Sequence, residues 1–275
     1  MTPPTLPLVP SQSPSRQATL LPLEPLTPAA FSAFGTAISP PFDSSLTTPP
    51  RSAASIPVPL HAPHQPAPVF ANQNSALKTS PISQFTNNYP AAPAPASQPQ
   101  MSMFSCFPRN LSGIGIETAP SSSSSGETIF RVSILERHPY TTQTFCPLGL
   151  SAADSSSAVF LVVVAPSLPG STTATTLTPG AGGVTVANPP DLTRLRAFIA
   201  RGDQAVTYAP GTWHAPMVVL GQRRVDFLVT QFVNGVAEDD CQEVLLGRNH
   251  VGVDLSRLGL LGGDGNGNKA RGPKL

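Results

Sequence analysis

The residues best suited to chemistry fall in two short segments. One is Tyr208-Ala-Pro-Gly-Thr-Trp-His214-Ala-Pro216, where a strand-like run enters a Pro-Gly turn that delivers the single Trp and one of the 5 His. Proline presets the first turn position and glycine supplies the positive φ of the second, so the next side chains are aimed by a rigid corner. The other is Leu135-Glu-Arg-His138-Pro-Tyr-Thr-Thr-Gln143-Thr-Phe-Cys-Pro-Leu148. A lone histidine at a corner is most often structural. Two imidazoles beside a carboxylate are a different matter, because such groups can hold different protonation states near neutral pH and move protons between them. His214, His138 and Glu136 are the candidate catalytic residues.

These side chains must be carried by strands. Ile129 to Glu136 alternates, with Phe130, Val132, Ile134, Glu136 and His138 on one parity and Arg131, Ser133 and Arg137 on the other. An apolar inner face would thus end in an inward Glu136 and His138. Val159 to Val164 is a wholly apolar run, as expected of a strand buried on both faces. Met103 to Arg109, Gln204 to Tyr208, Met217 to Leu220 and Val225 to Phe232 read as further strands, with Gly221-Gln-Arg-Arg224 turning between the last two. Two helices are expected. Thr27-Pro28 caps a short one with Phe31 and Phe34 on one face and Gly35 at its end. Asp191 to Ile199 is the clearest, capped by Asp191, striped by Leu192, Leu195 and Ile199, and ended by Gly202. The pattern is mainly β, an antiparallel barrel or sandwich with a few peripheral helices. No glycine-rich phosphate loop follows a strand.

The chain has 275 residues, 34 Pro and a formal net charge of +1. Near-neutral charge gives no reason to expect a nucleic acid or an anionic membrane as partner. No apolar run approaches the roughly 20 residues of a membrane span, and the N-terminus lacks the pattern of a secretion signal. Cys106, Cys146 and Cys241 fit reduced thiols inside a cell better than a disulfide framework. A cytoplasmic location is expected; the terminal Gly272-Pro-Lys-Leu275 also resembles the peroxisomal Ser-Lys-Leu address, with Pro in its first position. The excess proline marks soft segments. Residues 1–19 and 249–275 are expected to be disordered tails, around one domain at 20–248 with low-complexity insertions near 40–69, 90–100, 120–127 and 167–188. Asn72 to Lys78 is a polar island among them, and Lys78 is the only Lys before Lys269. His61 and His64 lie in a Pro-rich loop too irregular to favour a metal.

Four stretches carry a family resemblance: Glu136-Arg-His-Pro-Tyr-Thr-Thr-Gln-Thr-Phe145, Pro190-Asp-Leu-Thr-Arg-Leu-Arg-Ala-Phe198, Tyr208-Ala-Pro-Gly-Thr-Trp-His214 and Val225-Asp-Phe-Leu228. In this order and spacing they resemble the ureidoglycolate lyase family. Asp226 to Glu243 and the Asn72 to Lys78 island resemble its fungal form, so the likeness covers roughly residues 22–246. It implies a cupin-like antiparallel β-barrel, a homodimer, and cleavage of (S)-ureidoglycolate to glyoxylate and urea late in allantoin and purine breakdown. Pro210-Gly-Thr-Trp-His214 has the form of a second cupin box. The first box departs from the family of metal cupins, offering His138 and then Gln143 in place of two close histidines and a glutamate. No residue is assigned as a metal ligand from the sequence; a divalent ion, nickel, enters as a cofactor only through the resemblance.

The implied substrate is a carbinolamide, with hydroxyl, ureido nitrogen and carboxylate on one carbon. Its cleavage needs a base, an acid and a carboxylate-holding group, and positioned acids and bases contribute typically ~10²–10⁴-fold each. His214 is assigned the hydroxyl proton, with Glu136 and His138 tuning or sharing the relay. Lys78 and Arg109 are the candidates for the carboxylate, and Gln143 and Gln231 for the ureido group through amide pairing. Plainer readings stand beside these. Glu136 and Arg137 could end a strand in a surface ion pair, His138 could be a satisfied corner residue, and Trp213 and Tyr208 could be packing. Asp226 could brace the barrel or pair with Arg223, Asn234-Gly235 could be a turn, and Arg194 and Arg196 could lie on a solvated face. Three functional rivals stand beside it: an amidohydrolase releasing ammonia, for which paired-metal ligands are lacking, a non-catalytic cupin-like protein that binds a small acid, and another small-acid isomerase or lyase on the same barrel.

Overall fold

The computed structural model describes residues 3–9, 19–91, 94–109, 129–150, 158–176 and 182–258. Its centre is the strand Ala158–Ala165. Phe160, Val162 and Val164 enter one buried cluster while Leu161, Val163 and Ala165 enter another, so the apolar run is covered on both faces as expected. This strand lies in a seven-stranded sheet ordered Gln242–Leu245, Ile134–Arg137, Trp213–His214, Ala158–Ala165, Arg196–Arg201, Leu23–Pro25, with Val218–Val219 also pairing the central strand. A five-stranded sheet runs Gly35–Ile38, Ala205–Tyr208, Gln143–Leu148, Val225–Val233, Gln98–Cys106. Phe145, Val206 and Phe227 from the second sheet meet Phe160, Val164 and Phe198 from the first, and this cluster is the core between the layers. The outer face of the seven-stranded sheet is buried in turn. Leu21, Val132, Val251 and Val253 of a three-stranded sheet, with Leu6, Ala174 and Val186, pack over Leu135, Leu161 and Trp213. The fold is mainly β, in keeping with a cupin-like class, but no ladder among the described residues joins the two large sheets into a closed barrel.

The short helix forms as read. Pro28–Phe31 begins at Thr27, whose Oγ1 accepts from Ala30 N at 3.2 Å, and it buries Phe31 and Phe34. Gly35 then runs at φ +141° against Thr207, where a Cβ would lie 2.0 Å from the carbonyl oxygen.

The second helix does not form. Asp191 Oδ1 does accept from Thr193 N at 3.0 Å, but only Leu192–Arg194 makes a 3₁₀ turn, and Arg196–Arg201 is a strand. It is laddered antiparallel to Ala158–Ala165 and parallel to Leu23–Pro25, with Ala197 in one core and Phe198 and Ala200 in the other. Two ladders and two buried faces outweigh a local helical pattern, whose contribution per residue is only tenths of a kcal/mol, ~0–0.7. Arg196, expected on a solvated face, forks instead onto Glu24 and lies over Phe198.

Other soft readings are also replaced. The insertion read at 167–188 contains an antiparallel hairpin, Ser171–Ala174 with Val184–Ala187. The strand read from Met103 starts at Gln98, inside the supposed 90–100 insertion. Within the supposed tails, Thr5 bridges Leu245 and Thr175, Leu6 is buried, and Val251–Asp254 pairs with both Thr19–Leu21 and Ile129–Val132. The alternation from Phe130 to His138 is broken at Ser133: Val132 and Leu135 share the outer core, so Ile129–Val132 and Ile134–Arg137 belong to different sheets. The insertion near 120–127 and the Gly272 to Leu275 terminus lie outside the described residues.

Candidate active site

The register of the seven-stranded sheet brings the two sequence segments together. His214 stands directly across from Glu136 on one side and from Val164 on the other. Its ring enters the inter-sheet side, stacked on Tyr208 at a centroid separation of 3.9 Å and 12°. Tyr208 comes from the other sheet, so the site lies between the layers. Trp213, the preceding residue, points the opposite way into the outer core, as strand alternation requires. His138 follows Ile134–Arg137, and its ring centroid is 5.6 Å from that of His214.

Both rings are held by main-chain carbonyls. His138 Nδ1 meets Asp240 O, and His214 Nδ1 meets Thr212 O at 3.0 Å. A carbonyl oxygen only accepts, so Nδ1 carries the proton in each ring and Nε2 presents its lone pair. Both Nε2 atoms are buried without a hydrogen-bond partner, as is Gln143 Oε1. Glu136 Oε1 stands 3.5 Å from His214 Nε2, an ion-pair approach too long for a well-formed hydrogen bond. Orphaned buried acceptors of this kind cost stability, and they are found where a ligand or proton completes them.

The electrostatics follow from burial and proximity. Burial alone would raise the Glu136 carboxyl, but the neighbouring imidazoles, His214 first and His138 behind it, hold it below the usual carboxylate range. Burial and then His214 push His138 below the ordinary histidine value, against the opposing pull of the Asp240 carbonyl, Glu136 and Gln143. The resting set is therefore an ionised Glu136 beside a neutral His138. Burial, with Glu136 nearby, raises the Tyr208 hydroxyl, which stays protonated.

The same three side chains could hold a metal. One donor atom from each of Glu136, His138 and His214 lies within 4.8 Å of the others. Donors around one ion with bonds of about 2.1 Å sit up to roughly 4.2 Å apart. Two bare imidazole nitrogens and a carboxylate are a donor set found at divalent metals. Glu136 is placed where it could serve as a third donor beside the two imidazoles.

The amide candidates also arrive. Gln143 Nε2 donates to Gln231 Oε1 at 2.7 Å, and Gln143 favours the protonated form of His138. The two cation candidates do not. Arg109 N donates to Val219 O; Val219 pairs with Phe160, whereas His214 pairs with Val164. Four residues of strand separate them, roughly 13 Å. Lys78 is exposed on the hairpin Val69–Ala71 with Ala76–Lys78, and has no bond to the site among the described residues. Arg137 is no surface ion pair: it is buried with five hydrogen bonds to neutral acceptors. Trp213 is packing, Gly235 turns at φ +81°, and Asp226 pairs with Arg224 at 2.9 Å in place of Arg223.

Sequence reasoning missed Asp240. Its main-chain oxygen orients His138, and its carboxylate accepts from Tyr89 Oη at 2.7 Å and from the amides of Asn234 and Gly235, both at 2.8 Å. The Asn-Gly turn, separated by four residues from an Asp-Cys pair, is the only signal, and a main-chain role leaves no trace in side-chain type. Cys241 beside it has its thiol pushed up to about 12 by burial, then by Glu136 and neighbouring acids, so it is no nucleophile at neutral pH.

A family model described as ureidoglycolate lyase matches residues 18–253. The chain is similar to a protein of Schizosaccharomyces pombe named ureidoglycolate lyase, 41% identical over 113 residues, which are 41% of this chain and 48% of that protein. The protein of that name from Saccharomyces cerevisiae is 35% identical over 178 residues, 63% of this chain and 75% of that protein. One from Burkholderia mallei is 36% identical over 100 residues, 36% of this chain and 42% of its own. The aligned segment thus spans about half the length of the fission-yeast and bacterial relatives and three quarters of the budding-yeast one.

Proposed function

The chain belongs to the ureidoglycolate lyase family, and from that premise we propose that it cleaves (S)-ureidoglycolate to glyoxylate and urea. The observation that carries this reading is the pair of buried, unpartnered Nε2 atoms beside the Glu136 carboxylate. His214 Nε2 accepts the proton of the substrate hydroxyl. The C–O bond becomes a carbonyl as the C–N bond breaks, and the ureido nitrogen leaves with the proton returned from the cluster. One glyoxylate and one urea depart, and the residues regain their starting state. Glu136 stabilises the imidazolium that forms at His214, and His138 shares the return of the proton. The bare Gln143 Oε1, fixed by Gln231, accepts from the N–H groups of the ureido moiety. The bonds that fix Nδ1 of each ring keep both lone pairs aimed inward before substrate arrives, which removes reorganisation from the reaction.

When bound, a divalent ion would be held by Glu136, His138 and His214 and would polarise the substrate's oxygens as a Lewis acid. Ion binding and proton uptake use the same Nε2 lone pair, so a chelator separates them. The test is product analysis on the purified protein with and without chelator. Stoichiometric urea and glyoxylate support the reading, and ammonia in place of urea refutes it. Activity lost to a chelator and restored by a divalent ion would transfer His214 from base to ligand.

The proposal extends to a cupin-like homodimer acting in allantoin breakdown. Support for the fold comes from Pro210-Gly-Thr-Trp-His214 at a sheet-to-sheet corner. Support for pairing comes from the edge strand Gln98–Cys106, which has one ladder partner among the described residues and exposes Met101, Met103 and Phe104. Light scattering tests the dimer.

A further inference from the structure

The three site donors flank one buried cation that the proposed reaction does not use. Arg137 lies between Glu136 and His138 in the chain, and its guanidinium carbon sits 4.7 Å over the ring of Trp213, the residue before His214. Every nitrogen of the fork is occupied. Nε and Nη2 donate to Gln242 Oε1 at 2.9 and 2.7 Å, Nη2 to Ala187 O at 2.7 Å, and Nη1 to Asn188 O at 2.9 Å and Ser167 Oγ at 3.3 Å. Among the described residues it forms no ion pair, so a charge is buried on neutral acceptors alone. Burying a charge without a counter-charge is costly, and burial lowers its pKa. The five bonds fix the orientation of the guanidinium without pairing its charge.

That geometry ties three strands to one corner. Asn188 O accepts from both Arg137 and Trp213 Nε1, the latter at 2.9 Å. Asn188 holds the left-handed conformation, φ +44°, that turns its carbonyl into this position, and its N–H is fixed on Gly170 O. Ser167 Oγ donates in turn to Gly211 O, in the Pro-Gly turn that aims His214. The corner closes the hairpin Ser171–Ala174 with Val184–Ala187, the segment that composition marks as an insertion. Gln242 completes the clamp from the strand beyond Ile134–Arg137.

We propose that Arg137 is a positioning residue, which, clamped by the Ala187–Asn188 corner and Gln242 and laid over Trp213, fixes the spacing of Glu136, His138 and His214. The Thr- and Gly-rich hairpin is then part of the machinery: its base holds the site strands from behind. The kinetic part of this inference rests on the proposed lyase reading; the geometric part does not.

The test uses the full chain with Arg137→Lys, which keeps the charge and loses the fork, and Arg137→Met, which keeps much of the volume and loses the charge. Side-chain ¹⁵N resonances of His138 and His214 report ring tautomer without substrate, and emission of the single Trp reports the clamp. Both variants should melt cooperatively, shift Trp213 emission and move both imidazoles from a pure Nδ1–H form. Loss of such supporting bonds typically costs 10–100-fold, so kcat should fall by about that factor with KM little changed. Arg137→Ala should regain turnover with added guanidinium ion, and Arg137→Met should not. Unaltered imidazole resonances in the folded Lys and Met variants would overturn the proposal, as would wild-type kcat in Arg137→Lys. If the unaltered chain releases no urea, the lyase reading fails, while the resonances still decide the role of Arg137. If a variant does not fold, guanidinium rescue of Arg137→Ala and the Lys variant's resonances carry the decision.

Discussion

Replacing Glu136 by Gln removes a charge and almost no volume, so its effect isolates electrostatics. The carboxylate stands 3.5 Å from His214 Nε2, and its side chain is 20% exposed. Unit charges at that distance attract by about 1.2 kcal/mol in water and about 4.7 kcal/mol at an effective dielectric constant near 20. Partial exposure places the real value between these limits, about 2–4 kcal/mol. If that attraction is present in the transition state, where His214 carries the proton, and absent when the ring is neutral, all of it appears in kcat. At 1.36 kcal/mol per decade, Glu136→Gln should lower kcat roughly 30- to 1000-fold. A second signature follows from His138. Glu136 is one of the groups that raise its pKa against burial, so the variant's acid limb should move to lower pH. Glyoxylate formation followed across pH, with melting curves to verify folding, measures both. A variant with near-wild-type kcat and an unmoved acid limb would refute the assignment of Glu136 as stabiliser of the imidazolium.

Arg109→Ala should leave kcat within about twofold, the scale of surface changes near 0.5 kcal/mol, because register places it at the far end of the central strand; steady-state kinetics check this. Gly35→Ala should destabilise by at least about 2–3 kcal/mol, since its Cβ would meet Thr207 O at 2.0 Å at φ +141°; thermal melting should drop by about 5–10 °C. Acid should destabilise the fold in two steps. His138 is lowered in the native state, so the unfolded chain binds its proton first and stability declines as pH falls below about 6.5 toward the native value. Glu136 is also lowered, so its contribution is present above about 4.5 and is lost as pH falls through the native value. Denaturant melts carried from pH 8 to well below pH 4 should show both declines in wild type, and His138→Gln should lack the first.

Much of the site was legible because its cues are short and local. A Pro-Gly corner before Trp213-His214 and an acidic strand end at Glu136 to His138 each specify their own geometry, and register then opposes His214 to Glu136. The Thr27-Pro28 cap was legible for the same reason. Features decided by distant partners were not. Asp191 to Phe198 carries a helix pattern, but its backbone is claimed by the strands at Ala158–Ala165 and Leu23–Pro25. The break at Ser133 is set by which sheet each half of the run joins. The 167–188 segment looked soft because Gly and Thr are common in loops, yet its corner carbonyls have Arg137 and Trp213 to bind. Arg109 lies away from the histidine cluster, since residue type gives chemistry without address, whereas the strand ladder gives the address.

The central claim is that Glu136 and His214 act as one proton-transfer unit. A double-substitution cycle in kcat, built from His214→Ala, Glu136→Gln and the two together, tests it most directly. Residues acting as a unit are strongly non-additive. His214→Ala should cost about 10²–10⁴-fold, and adding Glu136→Gln should cost almost nothing more. Losses that multiply, or a His214→Ala protein that turns over like wild type, would contradict the claim.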